Sequence, residues 1–95
     1  MAQVKLPEAL DAYQQSLAIA KRLAEQDKSN SGWQRDLIVS LYKIGTTTAK
    51  MGAQDSLGQA QEFLRTALNL ADKYSGPDRQ QLIDTLNWTL QNLLH

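Results

Sequence analysis

The residue types that carry out catalysis are scarce in this chain. Its one histidine is His95, the last residue, and cysteine is absent. Neither a Ser–His–Asp triad nor a Cys–His pair is therefore predicted. Gly45, Gly52 and Gly58 are too far apart for a phosphate-binding loop, and no lysine follows any of them at the Walker spacing. We expect a protein that is not an enzyme.

The acidic residues do not indicate a metal site. Pairs such as Glu8 with Asp11, or Asp55 with Glu62, have the spacing of solvated helix faces and helix caps, the ordinary role of surface carboxylates. No stretch carries Glu and His at the spacing of metal ligands on a helix. The sequence therefore predicts neither a metal ion nor a cofactor.

Charge and hydropathy narrow the classes of partner. The chain has 95 residues, enough for one domain over 1–95, with 10 basic and 10 acidic residues. The charges are scattered, so neither nucleic acid nor an anionic membrane is an expected partner. No long apolar run predicts a membrane span, and the first residues lack the apolar core of a signal peptide. Together with the absence of cysteine, this predicts a cytoplasmic protein.

The sequence contains more candidate binding residues than candidate catalytic residues. Tyr42 stands close to Lys43 and Lys50, an aromatic ring flanked by two cations. The alternative is that Tyr42 packs against the fourth predicted helix while both lysines are solvated. Trp33 is expected to pack as a hydrophobic staple near Leu23 in preference to contacting a ligand.

Trp88 is the second candidate for a contact surface. At helical spacing it shares a side with polar residues such as Gln81, Asp84 and Gln91, so we expect it to be exposed. An exposed tryptophan favours a partner surface or a self-association patch. The alternative is packing against the preceding helix.

Apolar periodicity predicts the elements that hold these residues. Four helices are expected, at about 7–26, 32–50, 56–74 and 77–94. The second has two apolar stripes and should pack on both sides. Its main stripe is Trp33, Leu37, Leu41, Ile44 and Thr48. The predicted face of the third helix is Leu57, Ala60, Leu64, Ala67, Leu68 and Ala71.

The helix starts are predicted from capping residues and prolines. Capping-box spacing is present twice, and each of the two prolines stands where a first helical turn tolerates it. The boxes are Ser31 with Gln34 (Asn30 being the alternative cap) and Ser56 with Gln59 (Asp55 being the alternative), and the prolines are Pro7 and Pro77.

The helices also repeat in pairs. The first aligns with the third, Ala9 on Ala60, and the second with the fourth, Leu37 on Leu82. The second and third helices together carry a pattern of apolar and small residues at Leu41, Ile44, Gly45, Gly52, Leu57, Ala60, Leu64, Ala67, Leu68 and Leu70. This pattern resembles the tetratricopeptide repeat (TPR), and residues 9–45, with WQRDL at 33–37, are similar to a bacterial long-helix form of it. The resemblance covers about residues 6 to 94.

The resemblance implies an all-α fold, antiparallel helical hairpins forming a fragment of an α-solenoid. It implies that Gly45 permits close approach of the paired helix and that Ala60 packs at the crossing. In that family the first helices of successive repeats line a groove, which here implies a groove-facing set of Val39, Tyr42, Lys43, Thr46, Ala49 and Lys50. The expected function is a scaffold that binds a peptide or protein partner. Because Thr46 stands where the family's carboxylate clamp has asparagine, a chaperone-tail ligand is disfavoured.

A homo-oligomer is the alternative to a peptide-binding scaffold. The first helix would lack a partner from a preceding repeat, which leaves Tyr13, Leu10 or Leu17 uncovered. A second copy of the chain would cover that edge, with Trp88 as a further self-association contact.

Overall fold

The chain forms four α-helices in the computed structural model, which describes residues 6–52 and 55–93. The helices are α1 (Leu6–Gln26), α2 (Ser31–Met51), α3 (Ser56–Lys73) and α4 (Arg79–Leu93). The described ranges contain no strand. The predicted all-α class and the four helices are confirmed, with ends within two residues of the predicted ones; the predicted last residue of α4, 94, lies outside the described ranges. Within those ranges no helix is long and apolar enough to cross a membrane.

Helix α2 is the central element. The extensive contacts join α1 to α2, α2 to α3 and α3 to α4, so each helix packs mainly on its neighbours in sequence. The hydrophobic core lies along these contacts, and α2 packs on both α1 and α3, as its two apolar stripes predict. Its members are Ala20, Ala24, Leu37, Ile38, Leu41, Leu64, Ala67, Ala71, Tyr74 and Leu86.

Helices α2 and α3 approach each other closely at Gly45. A Cβ atom placed on Gly45 would lie 2.8 Å from Cγ of Leu64 and 3.3 Å from the carbonyl oxygen of Ala60. Both Ala60 and Leu64 have 0% of their surface exposed. The small residue that the sequence places at Gly45 therefore has the predicted effect, because any side chain there would force the two helices apart.

The start of α2 differs from the predicted capping box. Asn30 is the N-cap, and its side-chain oxygen accepts a hydrogen bond from the Trp33 amide at 3.1 Å. Ser31 is already the first helical residue, so the alternative cap is the one formed. The Gln34 side chain donates instead to the Ala24 carbonyl at 3.1 Å, which ties the start of α2 to the end of α1.

The predicted box at the start of α3 is also wrong. Asp55 precedes the helix without a side-chain cap hydrogen bond, and Ser56 is the first helical residue and is buried. Leu57 was predicted on the buried face, but 44% of its surface is exposed. The buried stripe begins at Ser56 and continues through Ala60 and Leu64, which leaves Leu57 about 100° around the helix from it.

The turn before α4 explains why that helix starts later than predicted. Pro77 lies in the turn and not in the first helical turn, since α4 begins at Arg79, whose amide donates to the Gly76 carbonyl at 3.3 Å. The Tyr74 ring occupies the space where a Cβ atom of Gly76 would stand, so the turn requires glycine. At the end of α2, Gly52 has a φ of 67°, the left-handed cap that was predicted.

Candidate binding cleft

An open cleft lies between α1 and α3, and the first half of α2 forms its floor. Its volume is about 680 Å³, within the range of about 300–1,000 Å³ typical of ligand sites. The cleft exists because α1 and α3 both pack on α2 without packing extensively on each other. Its lining residues are Leu17, Lys21, Ala24, Glu25, Lys28, Gln34, Leu37, Leu41, Phe63, Thr66, Leu70, Lys73 and Tyr74.

The floor of the cleft is apolar. Leu37 and Leu41 of α2 are buried and belong to the core. Leu17 on one wall, with Phe63 and Leu70 on the other, packs against that core but stays half-buried. These half-buried side chains hold apolar surface that a partner can remove from water, which is a favourable contribution to binding.

The rim of the cleft is mainly cationic. Lys21, Lys28 and Lys73 line it beside one carboxylate, Glu25, and none of the four forms an ion pair within the described ranges. Lys28 follows the end of α1 and Lys73 is the last residue of α3. Because both helices run antiparallel to α2, these two lysines lie at the same end of the cleft.

A polar network fixes that end of the cleft. The Tyr74 hydroxyl donates to Asp78 Oδ1 at 2.8 Å, and Arg35 Nε donates to Asp78 Oδ2 at 2.7 Å. The hydrogen bond from Arg35, followed by that from Tyr74, lowers the pKa of Asp78. The hydrogen bond to Asp78 in turn raises the pKa of Arg35. Burial, followed by the bond to Asp78, raises the pKa of Tyr74. The network joins α2 to the turn that follows α3 and holds the Tyr74 ring against the cleft wall.

A second ion pair supports the same turn. Arg79 Nη2 lies 2.8 Å from Asp72 Oδ1 and also donates to the Asp72 carbonyl at 3.0 Å. This clamp joins the last turn of α3 to the first turn of α4. The position of Lys73, the residue after Asp72, is thereby defined relative to the rest of the rim.

The predicted groove residues of α2 lie elsewhere, and none of them lines the cleft. Tyr42 is half-buried and packs against the core, while Lys43 and Lys50 are exposed. Val39 is half-buried. The Thr46 hydroxyl donates to the carbonyl oxygens of Tyr42 and Lys43, at 3.0 and 3.1 Å, so it is occupied by its own helix.

The aromatic residues at the predicted self-association edges differ in exposure. Trp88 is 65% exposed, as its polar neighbours on α4 predict. Tyr13 is half-buried. Trp33 is half-buried and lines a small cavity of about 240 Å³ together with Leu23 and Ile19 of α1.

No group of three or more His, Cys, Asp or Glu residues that could hold a metal ion occurs within the described ranges. Comparisons with protein-family models, with curated proteins and with solved structures gave no match to this chain. The chemistry of the cleft is therefore the basis for a function.

Proposed function

We propose that this chain is a non-enzymatic interaction module, a TPR-like fragment of an α-solenoid that binds a peptide or protein partner in the cytoplasm. The observation that carries the proposal is the cleft between α1 and α3, with its apolar floor and its unpaired lysines. The proposed module uses no cofactor or metal ion and binds neither nucleic acid nor membrane. Its binding surface is the cleft, with the α2 residues Val39, Tyr42, Lys43, Thr46 and Lys50 as the competing site that the family resemblance implies.

Two features support the TPR-like arrangement. The close crossing at Gly45 against Ala60 and Leu64 is the contact that the resemblance implies within one repeat. The packing of each helix mainly on its sequence neighbours is the contact pattern of repeat proteins.

The binding site is tested by blocking the cleft. Thr66 is exposed and lines the cleft, and its hydroxyl donates only to the Glu62 carbonyl of its own helix at 2.9 Å. Thr66→Trp would fill the cleft, whereas Thr85→Trp makes the same change at an exposed position of α4 outside it. Peptides selected on the wild-type protein from a displayed random library are the probe.

Selected peptides should bind the wild type and Thr85→Trp equally and Thr66→Trp about tenfold more weakly or worse, measured by isothermal titration. Equal binding to all three proteins would place the site outside the cleft. The double variant Lys43→Glu/Lys50→Glu then tests the competing site on α2. Loss of binding in that variant alone would favour the α2 site over the cleft.

The second candidate function is a structural homo-oligomer. The 65% exposure of Trp88 and the 51% exposure of Ile19 favour it, because large exposed apolar side chains are typical of association surfaces. Static light scattering over a range of concentrations tests this. A mass that rises with concentration and falls back in Trp88→Gln would support the oligomer, and a strict monomer at high concentration would rule it out.

A further inference from the structure

The walls of the cleft restrict the conformation of what binds there. They are the helices α1 and α3, whose main-chain groups are already hydrogen-bonded within each helix. An extended peptide would find no strand edge to pair with, so its own N–H and C=O groups would stay unpaired where they lose water. A helix satisfies its main chain internally and packs into the groove between two other helices. The geometry therefore favours a helical occupant.

The length of the cleft sets the length of that helix. The lining residues of α3 run from Phe63 to Lys73, a rise of roughly 15 Å at 1.5 Å per residue. This corresponds to about three turns of a bound helix. One face of the helix must be apolar to cover Leu17, Phe63 and Leu70.

The charges at the rim set the direction of the helix. Lys28 and Lys73 lie at the same end of the cleft, where α1 and α3 end, and they outnumber the one lining carboxylate at that end, Glu25. Acidic side chains of a partner are favoured at that end. Acidic residues also stabilise a helix at its N-terminus, where the helix dipole is positive. Both effects are satisfied together when the first turn of the partner helix lies beside the two lysines.

Resting on the proposed function, we infer that the cleft binds an amphipathic helix of a partner protein, about three turns long, with an acidic first turn. The helix lies antiparallel to α1 and α3. Its apolar face covers the half-buried side chains of the cleft walls, and its first-turn carboxylates pair with Lys28 and Lys73.

Two synthetic peptides test the inference. Each has about 16 residues, long enough for appreciable helicity, with blocked ends, leucines on one face, and the same composition. One carries its two glutamates in the first turn and the other carries them in the last turn. The first peptide should bind the wild-type protein about tenfold more tightly at low salt, and the difference should shrink as salt screens the charges.

Matched charge reversals locate the preference. Lys28→Glu/Lys73→Glu should abolish or reverse it, whereas Lys43→Glu/Lys50→Glu, with the same change of net charge on exposed lysines of α2, should keep it. The neutral variant Lys28→Gln/Lys73→Gln should lose the preference while leaving the apolar contribution intact. Circular dichroism checks that each variant retains its helices.

Three results would overturn the inference. The first is equal binding of the two peptides by the wild type. The second is a preference that Lys28→Glu/Lys73→Glu leaves unchanged. The third is no binding of either peptide while library-selected peptides still bind. All three leave the proposed function standing if Thr66→Trp still blocks binding of the selected peptides. Binding that Thr66→Trp does not affect would overturn both the cleft as the site and the helical partner.

Discussion

The crossing of α2 and α3 at Gly45 and the cleft along the first half of α2 show two outcomes of helix packing. At the crossing, glycine and alanine let the main chains approach, and Ile44, Ala60 and Leu64 are 0% exposed. Along the cleft, Phe63 and Leu70 of α3 pack against the core, but α1 does not cover them, and both stay half-buried.

Stability and binding therefore depend on different regions of this molecule. Apolar surface that is fully buried within the chain stabilises the fold, while half-buried apolar surface remains available to a partner. A substitution should therefore change mainly stability at the crossing and mainly affinity in the cleft. Paired substitutions at the two regions test that separation.

Two leucines on α3 give the most direct test. Leu64→Ala should lower the free energy of unfolding by about 2–5 kcal/mol, because it leaves a cavity at a fully buried position. Leu70→Ala removes the same atoms from the half-buried cleft wall and should cost less than half as much. Urea denaturation of both variants measures the difference. Equal losses would show that the cleft wall is as well packed as the crossing.

Two glycines on helices separate overpacking from helix propensity. Gly45→Leu should cost on the order of 1–3 kcal/mol, because its Cβ atom alone would lie 2.8 Å from Leu64 Cγ. Gly58→Leu meets nothing within 4 Å at Cβ and should be neutral or stabilising, since leucine favours the helix over glycine. Thermal unfolding compares them. An unchanged melting point for Gly45→Leu would contradict the close crossing.

Replacing a buried threonine of α2, outside the cleft, should stabilise the fold. Thr48 is 3% exposed and its hydroxyl oxygen has no hydrogen-bond partner. Thr48→Val keeps the shape, removes the unpaired hydroxyl, and should raise the free energy of unfolding by about 1 kcal/mol. Thr46→Val is the control, since the Thr46 hydroxyl donates to two carbonyl oxygens and no gain is expected. A loss in Thr48→Val would indicate a partner for that hydroxyl.

The smallest effect concerns the network at the end of the cleft. The pKa of Asp78 is lowered in the folded state from its ordinary 3.8, so its stabilising contribution is present above that pH and is lost as the pH falls below it. Asp78→Asn should flatten this part of the acid limb of a stability–pH curve relative to the wild type. Identical acid limbs for Asp78→Asn and the wild type would contradict the assigned ion pair.

The helices were predictable from sequence because they depend on local patterns, and apolar spacing predicted their ends to within two residues. The close contact of Gly45 with Ala60 was implied by the resemblance to the tetratricopeptide repeat. The caps were less predictable, because Gln34 has a competing partner in the Ala24 carbonyl of another helix. No local rule anticipates a bond between two helices.

The cleft was not predicted, because its existence depends on how far α1 and α3 stand apart on α2. Leu17, Phe63 and Leu70 are visible in the sequence as apolar residues, but periodicity assigns each to a packed face without showing which face stays half open. Lys28 and Lys73 are distant in sequence, and only the antiparallel arrangement of the helices brings them to the same end of the cleft. The available signal for the cationic end of the cleft was that Lys28 and Lys73 each stand at or near the end of a predicted helix.

The packing of each helix on its sequence neighbours also has a kinetic consequence. Contacts between neighbouring helices close short loops, so the chain has a low contact order and should fold rapidly, in microseconds to milliseconds. Because α2 and α3 share the most extensive helix–helix contact, the hairpin they form is the expected folding nucleus, with α1 and α4 adding from either side. Folding would then begin in the middle of the chain, before the wall of the cleft that α1 supplies is in place.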